Sequence, residues 1–319
     1  GYFLVPTPGS NNLSSGVSLA PEPQFSLNSG LYTNDSLTLT LTAQPGLTIR
    51  YTFDGTEPTG TSTGGASPVN ITFSTNMMIK ARAYPATAGS WPSKVVSRKF
   101  IMLDSTTANF SSDMPIVIFS TQGRAIPQNL APGTARPRGQ LAAINTYRGR
   151  ASLTGPVDTH EFSAHEIIGQ TSAGFPKQPQ RVEINNDMGE DKSVSLLGLP
   201  AEADWNFRNP YSDKCLMNDF LGYELWEDMG NYSCRRRFVE MFIDTGGGKL
   251  SYPGDYYGVM VLFERVERGK DRVNLSELTR FHTNEPAISG GYIVKKDKDS
   301  TGDINFNTDR KSTRLNSSH

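Results

Sequence analysis

The charged residues of this 319-residue chain are distributed unevenly. Residues 1–103 contain only ten of the 63 Lys, Arg, Asp and Glu side chains, and the other 53 lie in residues 104–319. A chain of this length has room for about two domains of roughly 150 residues each. Together these observations predict two regions of different construction, with a boundary near residue 103.

The overall composition excludes several classes of protein. The formal net charge is −1, so there is no general basic field for phosphate backbones and no nucleic-acid partner is predicted. Two cysteines, Cys215 and Cys234, cannot form a disulfide-rich scaffold or a zinc site of four thiolates. No apolar run approaches the roughly 20 residues that a transmembrane helix needs, so no transmembrane segment is predicted.

The first region shows the period-two pattern of β-strands. Leu37, Leu39 and Leu41 alternate with Thr, which places three leucines on one face of a strand. Turn sequences and further alternating runs follow. Short strands with regular turns predict an all-β, immunoglobulin-like sandwich over residues 21–103. Residues 1–20 are rich in Ser, Asn, Gly and Pro and are predicted to be a linker or the end of a preceding domain.

One string in the first region carries a resemblance to a known family. It reads Tyr51-Thr52-Phe53-Asp54-Gly55-Thr56-Glu57-Pro58-Thr59. It resembles the carboxy-terminal β-sandwich module of the chitobiase and β-hexosaminidase type, which is an accessory domain, so no catalysis is implied and polysaccharide is a possible partner. Tyr51, Tyr84 and Trp91 have flat faces suited to sugar rings, but packing in the core or rim of the sandwich is the favoured interpretation.

The second region contains a Gly- and Ser-rich loop between two predicted strands. It begins at Gly169, includes Ser172 and Gly174, and leads to Lys177 on the next strand. Small residues let backbone N–H groups approach phosphate oxygens, and a lysine adds a positive charge. The loop is neither a Walker motif nor a G-x-G-x-x-G loop, and on pattern alone a plain hairpin is favoured.

A helix is predicted from Asp213 to Met229. Ser212 is placed to cap this helix, and Asp213 is favourable in its first turn. Residues 237–244 and 257–263 are then predicted to form an antiparallel strand pair. The helix carries an apolar stripe that is predicted to face a core, made of Leu216, Met217, Phe220, Leu221, Leu225 and Met229.

The order of these elements resembles the spore-coat protein H (CotH) kinase family. The resemblance implies a domain over residues 104–310, an incomplete α+β protein-kinase-like fold consisting mainly of the amino-terminal lobe. The family transfers the γ-phosphoryl group of ATP, with Mg²⁺, to protein hydroxyls. The motifs are His165-Glu166-x-x-Gly169-Gln170-x-Ser172-Ala173-Gly174-Phe175-Pro176-Lys177, Leu196-Leu197-Gly198-Leu199-Pro200-Ala201-Glu202, Asp204-Trp205, Pro210-Tyr211-Ser212-Asp213-Lys214, Tyr257-Gly258-Val259 with Glu264, and Gly290-Gly291-Tyr292-Ile293.

The CotH resemblance implies roles for nine residues. Lys177 would contact the nucleotide phosphates, and Glu224 would orient it. The alternatives are a solvated strand-end charge for Lys177, a surface charge for Glu224, simple helix capping for Asp213 and closure of a strand for Glu264. The residues predicted to bind nucleotide are Lys177, Gly169, Ser172, Gly174, Glu224 and Glu264, with possible contacts at the helix start from Asp213, Lys214 and Asn218.

Two departures from the family pattern bear on activity. Ile168 stands where the family has Arg, which removes a possible bidentate contact to phosphate or carboxylate. The family's Trp-Asp-x-Asp-like segment, which carries the catalytic and metal-binding aspartates, is not found after Ile293, so this fragment is expected to be inactive. The polar tail also contains four aspartates that are not predicted to bind metal, namely Asp297, Asp299, Asp303 and Asp309.

The predicted function is that of a fragment of an exported CotH-like, ATP-dependent kinase that phosphorylates Ser or Thr hydroxyls of a protein substrate. The alternative is a binding or adhesion protein in which the sandwich binds polysaccharide and the kinase-like region is an inactive scaffold. Both interpretations place the protein outside the cell or at its surface. Residues 311–319 are predicted to be a non-native tail, and this tail together with Gly1 at the start predicts truncation at both ends.

Overall fold

The chain is built mainly from β-strands. The computed structural model describes residues 18–86, 90–131, 134–289 and 291–295, and the backbone of residues 304–308 and 311–315. The first region forms two sheets, with strand orders β1-β3-β6 and β2-β8-β7-β4-β5. Its strands are β1 (Gln24–Phe25), β2 (Gly30–Tyr32), β3 (Leu37–Thr42), β4 (Leu47–Thr52), β5 (Gly64–Ala66), β6 (Val69–Phe73), β7 (Met77–Pro85) and β8 (Val96–Met102).

The two sheets of the first region enclose an apolar core. Leu39 and Leu41 of β3 are fully buried, whereas the threonines that alternate with them lie nearer the surface. From the other sheet, Ile49, Ile79 and Phe100 belong to the same buried cluster. The predicted β-sandwich is therefore confirmed, and the alternation of leucine and threonine is what separates its core face from its solvent face.

The three aromatic residues considered for sugar stacking have different positions. Tyr51 packs against the sandwich core. The Tyr84 hydroxyl donates a hydrogen bond to the Pro58 carbonyl at 2.7 Å, which ties the ring to a neighbouring turn. Trp91 is 42% exposed. Of the three residues, Trp91 is the most exposed to solvent.

The second region continues with a longer series of strands. Seven of them form one closed sheet, in the order β10-β11-β13-β14-β15-β17-β16. The elements are β9 (Ser111–Ser112), β10 (Ile116–Ser120), β11 (Arg138–Ile144), β12 (Ala151–Ser152), β13 (Thr159–Ile167), β14 (Gln180–Asn185), β15 (Asp204–Arg208), α1 (Asn218–Asp228), β16 (Arg236–Asp244), β17 (Tyr256–Glu264), β18 (Val294–Lys295), β19 (Ile304–Thr308) and β20 (Lys311–Leu315).

The closed sheet has one parallel contact, between β10 and β16, and its other neighbouring strands are antiparallel. The predicted antiparallel pair β16–β17 is present. Large side chains fill the interior, including Phe119, Trp205, Phe207, Met241 and Leu262, all fully buried. The sheet therefore provides its own core, because strands from all sides contribute inward-facing side chains.

The predicted α+β kinase-like architecture is not confirmed. Within the described part of the chain α1 is the one α-helix, and none of its residues is fully buried. A sheet that closes on itself does not need a helix to cover an open face, which is why this region stays almost entirely β. No helix among the described residues has the length and apolar content that crossing a membrane requires.

Five of the six residues of the apolar stripe lie at the surface, which corrects the expectation that the stripe faces a core, whereas Phe220 packs against Cys234, Val261 and Phe263. Arg236 of β16 explains the orientation, because its buried guanidinium contacts Glu224 at 2.5 Å and Glu227 at 3.4 Å. It also lies over the rings of Phe220 and Tyr223. A buried charge needs such partners, so the face of α1 that carries Phe220, Tyr223 and Glu224 lies toward Arg236. The exposed apolar residues are Leu216, Met217, Leu221, Leu225 and Met229.

Leu225 gives a direct test of this orientation. It is 55% exposed, so Leu225→Glu is expected to change the free energy of unfolding by no more than about 0.5 kcal/mol. A leucine buried in a core would instead cost about 2–5 kcal/mol on truncation, and more on charging. Urea unfolding followed by circular dichroism measures the difference, and a loss above about 2 kcal/mol would contradict the exposed position.

The two regions share a buried apolar cluster. Ile101 and Leu103, at the end of the first region, belong to one cluster with Ile116, Ile118 and Phe242 of the closed sheet. Burial of apolar surface between the two regions favours their association. The chain therefore passes from sandwich to closed sheet through a packed junction at the predicted boundary.

A polar contact reinforces this junction. The turn at Asp54 and Gly55, part of the string that resembles the chitobiase-type module, offers two backbone carbonyls to the second region. Arg124 Nη2 donates to the Asp54 carbonyl at 3.0 Å, and Arg138 Nη1 donates to the Gly55 carbonyl at 2.5 Å. The most distinctive part of the module thus contacts the start of β11 and the segment that precedes it.

Candidate functional site

The Gly- and Ser-rich loop connects β13 to β14. These strands are antiparallel neighbours, with Ile167 opposite Gln180 at the end of the pair. Gly169 has a φ of 103°, and a Cβ atom there would collide with the Ser172 hydroxyl, so glycine is required. A short 3-10 turn over Ser172–Gly174 follows. The predicted loop between two strands is present, with a compact conformation.

Lys177 lies in this loop, three residues before β14 begins, and not on the strand as predicted. Its Nζ donates a hydrogen bond to the Val259 carbonyl of β17. The Asn209 side-chain amide donates to the Lys177 carbonyl. A Cβ atom on Gly258 would stand 3.2 Å from the Lys177 Nζ, so the glycine leaves room for the ammonium group. The side chain is therefore held against β17.

The charge of Lys177 has no close counter-charge. Burial lowers the pKa of the ammonium group below that of a free lysine side chain, and Glu240 opposes this effect. None of the ion pairs among the described residues includes Lys177. A neutral carbonyl is a hydrogen-bond partner but does not neutralise the charge. An anionic ligand would supply the missing negative charge.

A cavity of about 380 Å³ lies beside the loop, at the end of the closed sheet that we call the mouth. Gln180 is 1% exposed, and its Oε1 atom makes no hydrogen bond to the described residues. The Tyr257 hydroxyl accepts a hydrogen bond from the Gln178 amide at 2.5 Å. Residues at the cavity include Ile126, Ile167, Gln178, Gln180, Ile243 and Tyr257.

The two glutamates predicted to join the nucleotide site have other partners. Glu224 pairs with Arg236 and so does not form the predicted pair with Lys177. The Glu264 side chain is fully buried and contacts Arg272 at 2.6 Å and Arg235 at 2.8 Å. These two arginines surround the carboxylate with charge-assisted hydrogen bonds. In this structure both glutamates form ion pairs within the second region.

The residues predicted at the helix start form a local cap. The Asp213 carboxylate accepts hydrogen bonds from the Asn218 backbone amide at 2.6 Å and from its side-chain amide at 2.9 Å. Asp213 therefore precedes the helix and is not in its first turn, and Ser212 is not the capping residue. Lys214 is exposed.

Ile168 lies in the loop after β13, at the position where the family has Arg. Its backbone N–H donates a hydrogen bond to the Pro179 carbonyl at 3.1 Å.

Metal ligation has no candidate group in the described part of the chain. No set of three or more His, Cys, Asp or Glu side chains is placed there to hold a metal ion. The four tail aspartates considered from the sequence fall outside the described residues.

Two cavity residues, Gln178 and Gln180, are absent from the set predicted from sequence. A signal for Gln180 exists in the alternation of β14, where Gln180, Val182 and Ile184 share one face. Val182 and Ile184 are core residues of the closed sheet. A polar residue in phase with two core positions indicates a buried polar site.

Comparison with known families gives one match in each of the two regions. Residues 27–96 match the family described as chitobiase/beta-hexosaminidase C-terminal domain. Residues 166–317 match the family described as CotH kinase protein. Both resemblances predicted from the motifs are confirmed, in the predicted order. No curated protein matches the chain.

Proposed function

We propose that the loop from Gly169 to Lys177 holds the phosphates of ATP, in a CotH-type protein kinase that transfers the γ-phosphoryl group to Ser or Thr hydroxyls. The observation that carries this proposal is the half-buried Lys177 ammonium group, which has no carboxylate partner among the described ion pairs. Transfer of a phosphoryl group depends mainly on positioning and charge neutralisation, and Lys177 can contribute to both.

Two features support the proposal. The loop from Gly169 to Gly174 is a compact turn with small residues at Gly169, Ser172 and Gly174, and small residues allow phosphate oxygens to approach the backbone closely. The cavity at the mouth lies directly beside it and can take the uncharged part of the same ligand. Mg²⁺ would accompany the nucleotide phosphates, and we assign it no ligands among the described residues. The match to a kinase family agrees with this chemistry.

Lys177→Met is the test of this function. Methionine keeps most of the apolar stem and removes the ammonium group. Since hydrogen bonds to charged groups contribute about 1.5–3 kcal/mol, the variant is expected to bind Mg-ATP about 10- to 100-fold more weakly. Isothermal titration calorimetry measures the affinity.

Lys94→Met provides the matched control, because Lys94 is an exposed lysine of the sandwich. Its affinity for Mg-ATP should equal that of the unmodified chain. Thermal unfolding of both variants establishes that they are folded. Equal affinity in a folded Lys177→Met variant would refute the assignment of Lys177 to the phosphates.

A further inference from the structure

We infer that the outer face of strands β7 and β8 is a docking surface for the second region, and that the sandwich is a fixed structural support of the closed sheet. We call this surface the docking face. It consists of Met78, Lys80, Ser97, Lys99 and Ile101. The role is independent of the proposed nucleotide site, and the match to a chitobiase-type domain does not imply it.

The docking face points away from the core of the sandwich and is nevertheless buried. Ile79 of β7 and Phe100 of β8 belong to the sandwich core, so strand alternation places their neighbours on the opposite face. Outward-facing positions of a sandwich normally carry polar side chains in contact with water. Here each of the five side chains is at most 7% exposed. Another part of the chain therefore covers them.

The second region supplies the groups that cover the two lysines. Lys80 Nζ lies 5.1 Å from the centre of the Phe162 ring, and Lys99 Nζ lies 4.5 Å from it. Lys99 Nζ is 3.4 Å from Glu161 Oε2. Lys80 Nζ donates a hydrogen bond to the Asp187 carbonyl, in the turn after β14. An aromatic ring, a carboxylate and a carbonyl thus replace the water that these ammonium groups lose on burial.

The charges on the two sides of the docking face are complementary. Burial lowers the pKa of the Lys99 ammonium group, and the carboxylates of Glu161 and Asp187 oppose this effect. The Ser97 hydroxyl donates a hydrogen bond to the Asp187 carboxylate. Glu161 also pairs with Lys192 at 2.6 Å, which fixes its side chain on the surface of the second region. Cations of the sandwich thus meet anions of the closed-sheet region, which specifies how the two surfaces fit together.

A buried glutamine of the second region also bonds to the backbone of the sandwich. Gln140 of β11 is fully buried, and its Nε2 atom donates to the Phe100 carbonyl at 3.2 Å. Its Oε1 atom lies 2.9 Å from His160 Nε2, so both ends of the amide have partners. Separation of the regions would break the bond to Phe100 and expose Met78 and Ile101 to water. Both effects favour the docked arrangement.

Docking closes this face of the sandwich to other ligands. A polysaccharide binds to open surface, and the docking face offers none. Trp91, which is 42% exposed, lies between β7 and β8 in the chain and is not part of the docking face. Any saccharide contact of the sandwich is therefore restricted to other surfaces, such as that around Trp91.

Amine labelling of the folded, unmodified chain tests the docking face. The chain is treated briefly with a water-soluble N-hydroxysuccinimide ester, and the modified lysines are quantified by peptide mass spectrometry. Lys94, an exposed lysine of the sandwich, is the internal reference. Lys80 and Lys99 are expected to react at least about tenfold more slowly than Lys94, because the reagent reaches them only when the regions separate. Equal rates for the three lysines would overturn the docking role.

A variant and a dilution series complete the test. Glu161→Gln removes the carboxylate beside Lys99 and is expected to raise the labelling rate of Lys99 about tenfold, whereas the rate of Lys94 stays unchanged. Glu22→Gln, at an exposed glutamate of the sandwich, is the matched control and should leave both rates unchanged. Equal protection of Lys99 in Glu161→Gln and in the unmodified chain would overturn the charge-complementary docking. Protection that disappears on dilution of the protein would assign the face to a second copy of the chain, which also overturns the inference.

Discussion

Replacing Asp244 with alanine is expected to lower the free energy of unfolding by at least about 3 kcal/mol. The Asp244 carboxylate is buried and accepts hydrogen bonds from Asn76 Nδ2 at 2.6 Å, Ser120 Oγ at 2.8 Å, and the backbone amides of Gly246 and Gly247 at 2.9 Å each. A buried donor left without an acceptor costs about 1–3 kcal/mol, and four donors lose theirs together.

The donors to the Asp244 carboxylate come from both regions of the chain, so the loss of stability should involve both regions. Asn76 belongs to the sandwich, Ser120 ends β10, and the two glycines form the turn after β16. Asn76 also accepts a hydrogen bond from the Met102 amide at 2.7 Å. Loss of Asp244 should therefore loosen the junction as well as the closed sheet, and both regions should unfold in one transition at lower urea concentration.

Urea unfolding of three variants isolates the contribution of Asp244. Asn76→Ala removes one donor to Asp244 and the acceptor of the Met102 amide, and it is expected to cost less than Asp244→Ala, which leaves four donors without an acceptor. Asp244→Asn keeps one acceptor oxygen and should lie between them. Asp35→Ala is the control, because the Asp35 side chain is fully exposed. A loss in Asp244→Ala no larger than that in Asp35→Ala would show that the buried network does not stabilise the fold.

Acidification is expected to destabilise the protein through His165. Its ring is buried in the closed sheet, with Ser163 Oγ 2.7 Å from Nε2 and the Phe119 ring centroid at 4.4 Å. Burial lowers the pKa of His165 from 6.5 to about 3, because the charged imidazolium loses its hydration. The unfolded chain therefore binds a proton at a higher pH than the folded chain does.

The sign of the pH dependence follows from this difference. Between about pH 6.5 and pH 3 the unfolded state holds one more proton on His165 than the folded state, so stability falls as the pH falls. Well inside this window the loss approaches about 1.4 kcal/mol for each pH unit. Above pH 6.5 the contribution is fully present and no longer changes with pH.

A matched variant separates His165 from the carboxylates that also titrate in acid. His165→Gln retains a polar, hydrogen-bonding side chain but cannot become charged. Urea unfolding at pH 4, 5, 6 and 7 measures the free energy of unfolding of this variant and of the unmodified chain. As the pH falls, the variant is expected to lose less stability than the unmodified chain. A constant difference would show that His165 is not kept neutral by the fold.

The local sequence pattern was sufficient to predict the fold of the sandwich but not the fold of the second region. Leu37, Leu39 and Leu41 define a core face because strand alternation depends only on neighbouring residues. Closure of the second sheet depends on the parallel pairing of β10 with β16, which brings Val117 opposite Met241 across more than a hundred residues. No periodicity within either strand specifies that partner, so the resemblance to a kinase fold could not predict the closed arrangement.

The residues of the candidate site could likewise be predicted only in part. The order of Gly169, Ser172, Gly174 and Lys177 was visible in the sequence, because the loop is contiguous. The partner of Glu224 was not, since it depends on Arg236 being buried beneath α1. A stripe of apolar residues at helical spacing predicts an amphipathic helix, but the buried charge of Arg236 determines which face of α1 packs against β16.

Closure of the sheet also restricts how chains of this protein can associate. Each of its seven strands has a neighbour on both sides, so the closed sheet has no outer strand with a row of unpaired backbone groups. Such rows are the usual template for addition of a strand from another molecule. The sandwich does have outer strands, including β2 and β5. The sheets β12-β9 and β18-β20-β19 also have outer strands. Growth of intermolecular β-structure from the native protein is therefore directed away from the closed sheet and toward these open sheets.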